Sequence, residues 1–186
     1  MRIILLLFCI SFNSFAQLGN VYKSNGHPKA KGLNFEIRSP LGFEQDEADR
    51  PNIVQKWSKD RTDNNKFVQF LILVYDLPEE LIGVPTDEIK DYFKNGGAEE
   101  MSAMEGASNA KYFVIDNFPG SIVDTKLSGE RLSFTFTLYG IMTQTFVGNH
   151  VYQMMIQSPN KDVLEKNRGL FYLLSNSVIF PDQYNL

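Results

Sequence analysis

Residues 131–157 read RLSFTFTLYGIMTQTFV, then GN, then HVYQMMIQ, and this stretch decides the fold class. Leu132, Phe134, Phe136 and Leu138 alternate with Ser133, Thr135 and Thr137, the period of a strand with one buried face. Gly140 marks a bulge or bend partway along it. Gly148-Asn149 is a two-residue hairpin signal, so His150–Gln157 returns antiparallel to the long strand.

Upstream, Leu33, Phe35 and Ile37 alternate with Asn34, Glu36 and Arg38, which predicts a half-buried strand ending at the turn Ser39-Pro40-Leu41-Gly42. Gly42–Asn52 reads as an acidic, irregular loop. Ile53–Lys59 and Lys66–Asp76 are β-rich runs joined by the turn-forming DRTDNN segment, Asp60–Asn65. The second run contains FVQFLILVY and is almost continuously apolar, so it belongs at the centre of the sheet with both faces covered. A helix starts near Pro85-Thr86-Asp87-Glu88 with Thr86 as its cap, and Ile89, Tyr92 and Phe93 share one face. Gly96-Gly97 interrupts it, and Ala98–Met104 resumes as a second short piece.

Lys111–Asn117 is then a strand, with Pro119-Gly120 turning into Ser121–Leu127 and Ser128-Gly129-Glu130 turning into the long strand. Asn160 caps a last helix, Lys161–Ser175, whose apolar face is Val163, Leu164, Leu170, Phe171 and Leu174. Ser177–Phe180 reads as a short closing strand. Hairpin-sized turns between successive strands imply an antiparallel sheet, here of about six to eight strands, flanked by two main helices in an α+β fold.

Residues 1–16, MRIILLLFCISFNSFA, have the layout of a signal peptide: Arg2, an apolar core over Ile3–Phe12, and small residues Ser14 and Ala16 before a cut preceding Gln17. Residues 17–31 are polar, rich in Gly and Asn and aperiodic, which predicts a flexible lead-in, and residues 32–186 form a single domain. The chain's one cysteine, Cys9, leaves with the signal, so neither disulfides nor thiol chemistry serve the mature protein. A net charge of −4, with no Lys/Arg cluster, lacks the basic field that nucleic acids and anionic membranes require. Later apolar runs fall short of the roughly 18 residues of a membrane helix.

Three stretches resemble the PsbP-like family of α/β/α sandwiches. These are the opening strand and turn Leu33–Phe43 (LNFEIRSPLGF), the Ile115–Ile122 stretch with Phe118-Pro119-Gly120, and the closing Ser175–Phe180 (SNSVIF). Phe43 stands where the family often has Trp. The resemblance spans nearly all of the chain after residue 16, and it implies a fold that hosts binding and assembly more often than catalysis.

The sequence offers few candidate sites. His27 and His150 are the only histidines, and their positions suit a solvated segment and a hairpin end. HExxH, G-x-S-x-G and phosphate-loop spacings do not occur. The candidate metal ligands are Glu44, Asp46, Glu47 and Asp49, oxygen donors of the kind calcium takes, although without the DxDxDG pattern. Phe43 and Trp57 are the candidate binding patch, with core packing as the competing role for Trp57. No cofactor is expected. The composition points to an exported, non-enzymatic binding or assembly protein whose partner is another protein or an envelope component. The alternative is a secreted effector or hydrolase in which the fold brings together carboxylates such as Asp76, Glu79, Glu80 and Asp116. If the leading segment is a signal peptide, terminal sequencing of the exported protein will begin at Gln17.

Overall fold

The computed structural model describes residues 17–131 and 134–184; the predicted signal peptide with Cys9 and its cut after Ala16, and residues Leu132 and Ser133 of the predicted long strand, lie outside the described residues. Strands β1 (Leu18–Lys23) and β2 (Glu36–Pro40) pair as a separate antiparallel ladder. The main sheet comprises β3 (Glu44–Gln45), β4 (Ile53–Lys59), β5 (Val68–Asp76), β6 (Ala107–Ile115), β7 (Phe118–Arg131), β8 (Phe134–Val147) and β9 (His150–Ser158). These seven strands run in the order β3-β4-β5-β9-β8-β7-β6, every neighbour antiparallel. The two main helices are α1 (Thr86–Tyr92) and α2 (Lys161–Ser175).

The Gly148-Asn149 turn forms as the sequence predicts: Val147 pairs with His150, and Gly148 takes a φ of +56°. β9 then pairs along its length with β5, from Gln69 opposite Gln157 to Asp76 opposite His150. The even residues of both strands form one continuous wall. Val68, Phe70, Ile72 and Val74 of β5 join Tyr152, Met154 and Ile156 of β9 in the main core. Helix α2 covers this face with Leu164, Phe171 and Leu174, as its periodicity predicts, and Asn160 Oδ1 accepts the Asp162 amide as its cap. The β1–β2 ladder covers the rest of that face through Phe35 and Ile37, and a bridge between Glu36 and Ile179 ties the end of the chain to it.

The opposite face is covered over its β6–β7–β8 half. There Ala110, Val123 and Met142 pack beneath Met101, and Phe93 meets Phe146 at 5.7 Å between ring centroids. Helical layers on both sides of the sheet make the α/β/α sandwich.

Several local expectations are corrected. Residues 17–31 carry regular structure, because Ser24 closes the β1–β2 ladder: its Oγ donates to Leu33 O at 2.9 Å and accepts from the Phe35 amide at 2.8 Å. The turn before β7 falls at Asp116-Asn117, whose φ values of +45° and +72° suit a tight hairpin. Pro119-Gly120 lies inside β7, at the point where β8 pairing ends, so the missing proline N–H costs the ladder nothing there. Ser128-Gly129-Glu130 likewise continues β7, with Gly129 opposite Phe136. Helix α1 begins at Thr86 with Pro85 in the cap position. The acidic loop contains the short strand β3, and Ser177–Phe180 contributes only the bridge at Ile179.

Tyr152 is fully buried between Phe35 and Phe180, and its hydroxyl has no hydrogen-bond partner. Burial pushes that hydroxyl far above the ordinary tyrosine range. An unpaired buried hydroxyl opposes folding, so Tyr152→Phe should raise stability by about 1 kcal/mol. Phe171→Ala, which empties a fully buried position, should lower it by about 3–5 kcal/mol. Urea unfolding of the two variants checks both signs.

Candidate binding groove

The β7–β8 hairpin runs on past the end of β9. Tyr139 pairs with Ser158, but Phe134–Leu138 has only β7 as a partner among the described residues. β9 stops because Pro159 has no N–H to donate and Asn160 already caps α2. An open groove of about 770 Å³ lies against this overhang. Leu127, Phe136 and Leu138 line it from the hairpin, and Ile53 and Leu71 from β4 and β5.

Even-numbered residues of β8 turn toward this face, since Met142 packs there while Ile141 joins the opposite core. The alternation that suggests a core strand therefore places Phe134 at 77% exposure, Leu127 at 55% and Phe136 at 37%. The Phe136 ring lies over Gly129, where a Cβ would come within 3.0 Å of it. Gly140 sits in register beside the groove with no bulge: a Cβ there would meet Thr125 Oγ1 at 2.5 Å and Ile156 O at 3.0 Å. On the neighbouring strands Gln69 Nε2 donates to Gln157 Oε1 at 3.1 Å, so a paired amide ladder borders the apolar lining.

Arg50, Lys56 and Asp49 supply the charge in the groove. Lys56 Nζ stands 3.8 Å from an Asp46 carboxylate that Arg61 and Ser58 engage more closely. Arg50 is exposed, and its guanidinium has no hydrogen-bond acceptor or ion pair among the described residues. One positive charge therefore remains after Asp49 is set against the two cations.

The sequence candidates fall elsewhere. Trp57 is 4% exposed and packs edge-on against Tyr22 at 5.9 Å, so it belongs to the core and not to a surface patch. Phe43 is half-buried, 5.0 Å from Phe70, with Lys59 Nζ 5.9 Å from its ring centroid. The four acids of the loop do not converge: Asp46 holds Arg61 and Ser58, Glu44 lies 3.4 Å from Arg61, and Glu47 and Asp49 are exposed. Among the described residues no group of three or more His, Cys, Asp or Glu is placed to hold a metal ion.

His27, His150, Asp76 and Asp116 tie segments of the fold together. His27 Nδ1 accepts the Lys29 amide at 3.2 Å, and His150 Nε2 lies 3.0 Å from Lys31 O. Asp76 pairs with Lys31, and that hydrogen bond holds its carboxyl below the usual aspartate range. Asp116 accepts the Phe180 amide at 2.6 Å and the Tyr184 hydroxyl at 2.5 Å, anchoring the end of the chain. Glu79 and Glu80 lie exposed on a single 3-10 turn.

The signal for the groove was available in the strand lengths. The predicted arms of the hairpin, Arg131–Val147 and His150–Gln157, are unequal, so part of the first arm must lack a partner on one edge.

Architecture and groove together define an α+β sandwich with a recess on one sheet face. No family model matches the sequence, and no curated protein matches it. Among solved structures, the chain is similar to cyanobacterial PsbP (CyanoP) from Synechocystis sp. PCC 6803, at 12% identity over 89% of this chain and 93% of that one, with a TM-score of 0.52. It also resembles LpqN of Mycobacterium tuberculosis, involved in cell envelope biogenesis, at 8% identity over 86% and 89% of the two chains, TM-score 0.49. The Saccharomyces cerevisiae Ran-binding protein Mog1p matches at 8% identity over 89% and 98%, TM-score 0.45. The likeness to CyanoP establishes the shared fold, in agreement with the family resemblance of the sequence.

Trp57 is the sole tryptophan of the chain. Its burial predicts blue-shifted emission that acrylamide quenches weakly, whereas a surface Trp57 would emit near the water-exposed limit.

Proposed function

We propose that this chain is an exported, non-enzymatic binding or assembly protein that engages a protein or envelope component through the groove beside the β7–β8 hairpin. The observation that carries the reading is the exposure of Phe134, Leu127 and Phe136 on one face of a strand pair, next to a recess floored by Leu71 and Ile53. Clustered apolar side chains of this size at the rim of a recess mark interaction surfaces. Export is supported by the signal-like layout of residues 1–16. The PsbP-like fold agrees with a binding role, as the sequence resemblance implies.

The test is photo-crosslinking in cells, with a benzophenone amino acid replacing Leu138, combined with fractionation. Leu138 should give a discrete adduct in the exported fraction, and Leu127→Asp at the rim should reduce its yield at least about fivefold. The same probe at Tyr172, on the opposite face, is the control. Equal adducts from both positions, or protein retained with residues 1–16 in the cytoplasm, would overturn the proposal.

A further inference from the structure

We infer that the partner enters the groove as an extended polypeptide that adds a strand to the free edge of β8 at Phe134–Leu138. This deepens the binding role of the groove and rests on it. Along Phe134–Leu138 one edge of β8 is satisfied by β7, while the other has no strand beside it among the described residues. Every second residue of such an edge presents an N–H and a C=O to the open side. The gap begins where Pro159 turns the chain away, so an added strand would continue the line of β9 without displacing it.

The recess has the chemistry of a strand-addition site. Backbone bonds to the edge supply affinity, and alternate side chains of the guest enter the recess and supply specificity. Leu71, Ile53 and Leu138 offer apolar contacts to those side chains. Charge complementarity sets the remaining feature: Arg50, free of any ion pair among the described residues, and the loosely held Lys56 favour a carboxylate. The guest is therefore an extended segment with apolar residues at alternate positions and an Asp or Glu facing Arg50. The exposed apolar side chains also explain why the edge is a liability when empty, since an unpaired strand edge templates association.

The probe is a phage-displayed random dodecapeptide library selected on the full protein, followed by synthetic peptides of the enriched sequence. Enriched peptides should alternate apolar residues and carry an acid, and Arg50→Glu should weaken their binding about tenfold. On ¹⁵N-labelled protein, the amides of residues 134–138 should shift and exchange more slowly when peptide is bound. N-methylation of the peptide at the residues facing β8 should weaken binding about tenfold or more, while N-methylation at the intervening residues should leave it nearly unchanged.

No enriched sequence, shifts confined to another surface, or equal tolerance of both N-methylation patterns would overturn strand addition. So would a dimer in sedimentation that Phe134→Asp dissolves, because the edge would then belong to a second copy. A Leu138 adduct in cells combined with failure of these peptide experiments rejects the strand geometry alone; loss of the adduct itself rejects the groove.

Discussion

The pairing of β5 with β9 joins residues up to 88 apart in the chain, and the rest of the structure depends on it. Closing so long a loop costs entropy that grows only slowly with length, while the contacts it makes possible are numerous. Once the two strands meet, Phe70, Ile72 and Val74 stand beside Tyr152, Met154 and Ile156, and a single apolar wall exists for other elements to cover. Helix α2 follows β9 after a short turn, so its only accessible apolar surface is that wall. The ladder of β1 and β2 fills the remaining area, with Ser24 satisfying backbone groups that burial would otherwise leave unpaired.

The same pairing sets the length of β9 and therefore creates the groove. β9 pairs with β5 as far as Gln157, and Pro159 ends it one residue later. β8 has a second partner, β7, that continues further, so the hairpin stands out beyond its neighbour with one edge open. Apolar side chains that would be core in an equal-armed hairpin become surface. A mismatch between two strand lengths thus turns a structural element into a binding element.

Much of the fold was legible in the residues. The boundaries of β4 and α2 follow from β-rich composition against the DRTDNN turn, helical period and the Asn160 cap, because each is decided by contacts within a few residues. The turn at Asp116-Asn117 was not, because Pro119-Gly120 carries the stronger local turn signal and only pairing with β6 shows that it lies within a strand. Trp57 shows the same limit at the level of the site. Its position near a strand end fits a surface, yet Tyr22, from a segment with no periodicity, closes over it.

From the sequence alone came the α+β class, the antiparallel sheet, the helical cover and the exclusion of motif-based chemistries, all of which depend on local period and residue type. Tertiary structure alone decided which apolar residues are core and which are surface. Phe134 and Phe136 share a face of β8 with Met142, yet only Met142, which has β9 beside it and Met101 packed over it, is buried. Alternation records which residues share a face of a strand; whether that face is covered depends on where distant elements stop.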